Sequence, residues 1–304
     1  MRKQPTKAER ILDRLDWKVI RRLDGLLQGD YRTFFQGFGL DFADIREYQY
    51  GDDVRTLDWN VTARMATPYV RRYHEDRDIT AWFLVDLSPS VEYGSPNRRK
   101  RDILTDCTAV LARLLTRRGN KVGAILFDGS VPILRPPGVG RKQVLTLIQD
   151  IEEYSVERTV PETDLSILLE AASMVIRRRS LLFILSDFYS VPGWERVLGQ
   201  LTLKNEVTGI RVYDPEEGSF PPVGIVWVED AETGQQFLLD SSSRNFQKNF
   251  ARLEEERVGK LERTFRSWGL DLLSLSTDAD LVRELLRFSG YRKLRASHAA
   301  RRKA

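Results

Sequence analysis

Five oxygen-bearing side chains carry the chemistry open to this sequence. Asp86, Ser88 and Ser90 fall in "VDLSPS", residues 85–90, where an apolar run ends on a carboxylate and two hydroxyls follow at alternate positions. Alternate residues of an extended segment point to one side, so the three oxygens can converge. Thr163 in "PETDL" stands at a loop-to-helix start, and Asp187 in "ILSDF" ends another apolar run. Carboxylates and hydroxyls form the donor set of hard divalent cations, and Mg²⁺ or Mn²⁺ is the expected cofactor. The same atoms admit an enzyme: Asp86 as the phosphoryl-accepting nucleophile of a Mg-dependent phosphohydrolase, with Asp187 holding the ion. That chemistry wants a second acid at position 88, which is Ser, and a lysine near "ILSDF", where none stands in the sequence. Taken singly, Thr163 also reads as a helix N-cap, Asp187 as a turn residue and Ser88-Pro89-Ser90 as a turn. Their conjunction favours a cation site, with Asp164 as the helix cap.

Such a site needs its strands side by side. From about residue 79, the apolar runs "ITAWFLVDL", "KVGAILFD", "VPILRP", "SLLFILSDF" and "EVTGIRVYD" read as strands, and helical periodicity falls between them. Ile103, Leu104, Cys107, Val110, Leu111, Leu114 and Leu115 make one apolar helix face; further helices are predicted over 140–153, 163–176 and 193–203. This alternation predicts an α/β fold with a doubly wound, mostly parallel sheet, whose ligands bind outside the carboxyl ends of the strands.

The flanks differ. Residues 9–28 read as a helix, and the glycine-punctuated aromatic stretch 31–78 as strands and turns. Residues 216–243 contain a hairpin around Thr233-Gly234. A charged helix over 244–267, the strand "GLDLLSLST" and a helix over 278–289 return to the core. The expected organisation is therefore an N-terminal helix and β-rich segment over 1–78, a core over 79–215, and a hairpin over 216–243 packing with the N-terminal segment as a smaller β-rich subdomain. Residues 244–290 complete the core, and a basic, frayed tail spans 291–304.

Composition removes several function classes. The 304 residues are 41% hydrophobic and 30% charged, as in a globular protein, and 48 basic against 44 acidic residues leave only +4. Arginines between positions 46 and 75 are interleaved with acids, which suits ion pairs better than a phosphate-binding stripe, so no nucleic-acid partner is expected. The run Arg98 to Arg101 reads as solvated surface. One cysteine, Cys107, excludes an internal disulfide, and two histidines, His74 and His298, argue against a histidine-rich zinc site. "GVGRKQ" lacks phosphate-loop spacing. There is no signal-peptide core and no apolar run of roughly 20 residues, so no membrane span is expected and a cytoplasmic location is the default.

Asp86-x-Ser88-x-Ser90 with Thr163 and Asp187 downstream resembles the metal-ion-dependent adhesion site (MIDAS) of von Willebrand factor A domains. The preceding "GFGLDFADIREYQYGDDVRTLDWNVTARMATPYVRRY" and the later "GIRVYDPEEGSFPPVGIVWVEDAETG" resemble the domain-of-unknown-function 58 family, over roughly residues 20 to 290. The resemblance implies a von Willebrand factor A-like core and a metal-dependent, non-enzymatic interaction module in which an acidic side chain of a partner completes the metal's coordination. It also implies association with a MoxR-type AAA+ ATPase acting on a client protein. Two departures stand out: "PETD" replaces the glycines frequent in the threonine loop, and Asn205-Glu206 stands where similar chains often have His-Asp.

Overall fold

The computed structural model describes residues 5–26, 44–49, 52, 57, 59–65, 67–72, 80–95, 98–154, 162–218, 220–229 and 234–301. Helix α1 (Lys7–Leu15) opens with a capping box, the Thr6 hydroxyl accepting the Glu9 amide and the Glu9 carboxylate accepting the Thr6 amide. One π-helical turn, Asp16–Ile20, carries it into α2 (Arg21–Leu26). Leu12, Leu15, Ile20 and Leu23 share a face and are buried in the main core, so this helix is a layer of the α/β unit. Strands β1 (Asp44–Glu47) and β2 (Tyr69–Arg72) pair antiparallel. A short helix, α3 (Trp59–Met65), stands between them in a stretch expected to hold only strands and turns; no Gly or Pro interrupts the chain from Gly51 to Pro68. Tyr50, Tyr73, His74, Pro161 and Thr233 lie outside the described residues.

The core follows the predicted alternation: β3 (Thr80–Asp86), the two-residue pair β4 (Gly94–Ser95) and β5 (Arg98–Arg99), then α4 (Lys100–Thr116). Next come β6 (Lys121–Phe127), β7 (Ile133–Gly138), α5 (Gly140–Glu153), α6 (Leu165–Val175), β8 (Leu181–Ser186), α7 (Trp194–Thr202) and β9 (Glu206–Tyr213). Strands β10 (Ile225–Glu229) and β11 (Gln236–Asp240) form the expected hairpin, followed by α8 (Arg244–Ser267), β12 (Asp271–Ser276) and α9 (Leu281–Arg301). Helix α9 runs beyond the expected end at 289, and the tail predicted to fray is helical to Arg301. After Gly290 the sequence holds no Gly or Pro and is rich in Ala, Leu, Arg and Lys, which favour a helix.

The main sheet has the order β12-β9-β8-β3-β6-β7, parallel throughout except for β7, which runs antiparallel along the edge beside β6. Adjacent prolines, Pro136 and Pro137, suit that edge, where an amide is dispensable. This is the doubly wound, mostly parallel sheet expected from the sequence, with three smaller antiparallel pairs among the described residues. Its two-sided burial is visible in β3: Ala81, Phe83 and Val85 face the cluster containing the inner faces of α1, α4 and α5, whereas Trp82 and Leu84 face that of α6 and α7. Each fully buried Leu or Phe contributes about 1.5–3 kcal/mol against exposure. Helix α8 seats Phe265 directly over Gly209 of β9, where a Cβ would lie 2.3 Å from the ring. Among the described residues no helix is long and apolar enough to cross a membrane.

Candidate functional site

Chain connection reverses direction at β3, which is flanked by β6 on one side and β8 on the other. The loops after β3 and β8 therefore leave in opposite directions and open a crevice at the carboxyl edge of the sheet. Asp86 closes β3 there, fully buried. One oxygen, Oδ1, accepts the Ser88 amide at 2.9 Å, and Oδ2 accepts the Ser186 hydroxyl at 2.6 Å. The Ser88 carbonyl then accepts the Val91 amide at 3.1 Å, starting a 3₁₀ turn over Pro89–Glu92 that carries Ser90 back beside Ser88, with 3.1 Å between the hydroxyl oxygens. "DLSPS" is thus both a turn and a cluster of oxygens.

Asp187 follows β8, buried, with Oδ1 accepting the Tyr189 amide at 3.1 Å and Ser90 also hydrogen-bonded to the carboxylate. Phe188 between them has φ 58°, a left-handed backbone that costs a non-glycine residue about 1–3 kcal/mol. Its ring offsets this by packing against Trp194 and Phe265, with centroids 5.6 and 5.4 Å away. Thr163 is buried in the facing loop, and its carbonyl accepts the Val191 amide at 3.0 Å. The N-cap of α6 is Asp164, whose Oδ1 accepts the Ser166 amide at 2.8 Å. Ser90 and Thr163 line a cavity of about 890 Å³ together with Tyr189, Glu217, Trp227 and Lys100; Asp86, Ser88 and Asp187 are buried and do not line it.

Lys100 was missed by sequence reasoning, which took Arg98 to Arg101 as solvated surface and found no lysine near "ILSDF". Lys100 is only 1% exposed, and its ammonium donates to Asp187 Oδ2 at 2.7 Å and to Glu217. Arg98 pairs with Asp106, and Arg101 with Glu92 and the carbonyls of Ile151 and Tyr154, whereas Arg99 is exposed as expected and pairs with Glu92 at the surface. A four-residue basic stretch looks solvated when read alone. Here the β4–β5 pair and the Tyr93 carbonyl, which accepts the Lys100 amide at 3.0 Å, turn Lys100 inward. The only local signal was Lys100's position at the first turn of a helix, where a cation opposes the macrodipole.

Burial raises the Asp86 pKa, and the negative charge of Asp187 raises it further; hydrogen bonds from Ser186 and Ser88 recover only part, leaving it near neutrality at about 7. Burial would raise Asp187 as well, yet Lys100, the Tyr189 amide and Ser90 hold it below the ordinary carboxylate value. Burial pulls the Lys100 ammonium down, and the charges of Asp187 and Glu217 more than reverse this. The site is a buried acid pair that calls for positive charge, and its donors are all oxygen, the chemistry of a hard divalent cation. In this structure the charge is supplied by Lys100. Among the described residues, no group of three or more His, Cys, Asp or Glu side chains is arranged to hold a metal, so the hydroxyls would have to contribute.

Other singled-out residues have structural work. Cys107 is buried in the core, where burial raises its thiol pKa. Asn205 ties the end of α7 to the segment entering β8, its Oδ1 accepting the Ser180 amide at 3.1 Å and its Nδ2 donating to the Leu201 carbonyl at 3.1 Å.

Residues 44–259 match the family described as "Protein of unknown function DUF58". An uncharacterized protein of Mycobacterium tuberculosis is 34% identical over 289 residues, covering 94% of this chain and 90% of its own length. Among solved structures, the conserved hypothetical protein BatB from Bacteroides thetaiotaomicron is similar at a TM-score of 0.45 and 12% identity, covering 71% of this chain and 99% of its own. The SpRpn10 VWA domain is similar at 0.38 and 11% identity, covering 68% and 93%. The fold class itself follows from the strand order above.

Proposed function

The chain belongs to the DUF58 family of proteins of unknown function, and from that premise we propose that it is a non-enzymatic, divalent-metal-dependent protein-interaction module. The observation that supports this reading is the convergence of Asp86, Ser88, Ser90 and Asp187 at the reversal point of the sheet, with Thr163 and Ser90 lining one cavity. In this reading Asp86, Ser88, Ser90, Thr163 and Asp187 hold Mg²⁺ or Mn²⁺, which supplies a Lewis-acidic position for an acidic side chain of a partner. Three neutral hydroxyls leave the ion short of negative charge, which favours an incoming carboxylate. The resemblance to MoxR-associated chains suggests a MoxR-type AAA+ ATPase and its client as the partners.

The phosphohydrolase alternative gains the lysine it lacked in the sequence, since Lys100 reaches Asp187. That lysine is held by two carboxylates, position 88 remains serine, and Asp86 is hydrogen-bonded on both oxygens. The interaction reading therefore stands ahead. Titration calorimetry with Mg²⁺ and Mn²⁺ on the chain and on Asp86→Ala, with and without a MoxR-type ATPase, tests it. Metal-dependent association lost in the variant is the expected outcome; equal association with chelator and in the variant would sink the metal role.

A further inference from the structure

We propose that Lys100 is a tethered cation that occupies the place of the divalent ion at Asp187 and gives it up when the ion binds, so that ammonium and metal exclude one another. The inference rests on the metal-site reading above and adds a built-in competitor to it.

Four observations converge on Lys100. It is the first residue of the 17-residue helix α4, where the aligned peptide dipoles disfavour a cation, so its position is not explained by helix stability. Lysine is almost never buried unless paired, and this one is 1% exposed. Its ammonium reaches Asp187 Oδ2 at 2.7 Å, the carboxylate assigned above to the metal. Tyr93 and Tyr189 flank the ammonium at 5.9 and 5.5 Å from their ring centroids, so the aromatic walls of the cavity also favour a cation there.

Glu217 provides the alternative position. Its Oε1 already accepts from Lys100, while its Oε2 accepts the Asp214 amide at 3.0 Å, which anchors it independently of Asp187. Asp214 is fixed in turn by the Thr277 hydroxyl at 2.6 Å and the Ser95 amide at 3.1 Å. Lys100 can therefore release Asp187 and keep a carboxylate partner on the cavity wall. The charges require such a move. With Lys100 bound, Asp187 is neutralised and has less to offer a divalent ion; with the ion bound, the ammonium and the metal would meet at one carboxylate, and like charges in a buried site repel strongly. Arg257, the neighbouring cation, hydrogen-bonds the Asp187 carbonyl rather than its carboxylate and is paired with Glu254. It does not duplicate Lys100.

The test is Mn²⁺ titration of the full chain, read by calorimetry and by the electron paramagnetic resonance of free Mn²⁺, for wild type, Lys100→Met and Lys100→Gln. Methionine keeps an unbranched apolar stem one atom shorter than lysine and removes the charge. We expect both variants to bind Mn²⁺ at least about tenfold more tightly than wild type, since a competing charge has been deleted, and Mn²⁺ to raise their melting temperature more than that of wild type. Equal or weaker binding by the variants would overturn the inference and leave the metal site standing. No Mn²⁺ uptake by any of the three would overturn both. A measurement on the unmutated side chain covers the case in which the variants fold poorly: acylation of Lys100 by an amine-reactive ester, followed by mass spectrometry. Mg²⁺ should increase that modification in wild type and leave it unchanged in Asp86→Ala; protection or no change in wild type would refute displacement.

Discussion

Strands β3 and β6 lie side by side and end in the same way. Asp86-Leu87-Ser88 and Asp128-Gly129-Ser130 each fold so that the aspartate accepts the serine amide two residues on, at 2.9 and 3.0 Å. Both aspartates are buried. They differ in what stands opposite. Asp128 is at the outer side of the reversal point, where its carboxylate also takes the Ser130 hydroxyl and pairs with Tyr154, whose own pKa is pushed up to about 12, first by burial and then by Asp128. Asp86 faces β8 and so meets Ser186, the charge of Asp187 and, through Asp187, Lys100. The same turn closes β8 at Asp187 and β9 at Asp214. An aspartate with an amide two residues on is thus the ordinary way these strands end, and strand order decides which of them can do more.

The largest expected difference is in stability. Asp187→Ala leaves Lys100 buried with Glu217 alone, and breaking a buried pair costs about 3–5 kcal/mol. Asp128→Ala removes turn hydrogen bonds and should cost about 1–3 kcal/mol. Urea unfolding midpoints separate the two; if Asp128→Ala is the worse variant, the β8 end has no special electrostatic role. Cation affinity is the next discriminator. Asp86→Ala should weaken Mn²⁺ binding by more than the roughly 10–100-fold that loss of a residue behind a ligand costs, and Asp128→Ala should leave it unchanged. Equal effects in calorimetry would mean that the two strand ends are equivalent and the site lies elsewhere.

Much of this was legible in the sequence because it is written in local patterns. The unbroken apolar runs of β3 and β8, alternating with helical stretches along the chain, predicted the sheet, and the ends of those runs marked the places of Asp86 and Asp187. Asp164 read correctly as the cap of α6 because capping is decided within one turn. Lys100 was not legible, since its partners are 87 and 117 residues away and its neighbours in sequence are all cationic. Ser186 was equally hidden: a serine beside an aspartate carries no sign that its hydroxyl will bond an acid 100 residues earlier. The helical run from Tyr291 to Arg301 was underestimated for a different reason, because dense positive charge suggested solvation while the backbone propensity favoured helix.

The smallest effect concerns how the β8 end is braced, which the β6 end does not share. Tyr189, just after Asp187, donates its hydroxyl to Glu254 on α8 at 3.0 Å, while Arg257 lies 3.6 Å over its ring. Glu254 also receives Arg211 and Arg257. Burial alone would raise the Glu254 pKa; the hydrogen bond and charge of Arg257, with Tyr189 and Arg211, bring it below its ordinary value of 4.5. A carboxylate depressed in the folded state contributes stability that is present above its unfolded pKa and is lost as pH falls through the folded one. Glu254→Gln should therefore lower stability at neutral pH and flatten the fall in stability below about pH 4.5. Thermal melts of the variant and wild type between neutral and acidic pH read this directly. Parallel acid limbs would mean that Glu254 braces Tyr189 by packing alone, and that the charge asymmetry between the two strand ends stops at Lys100.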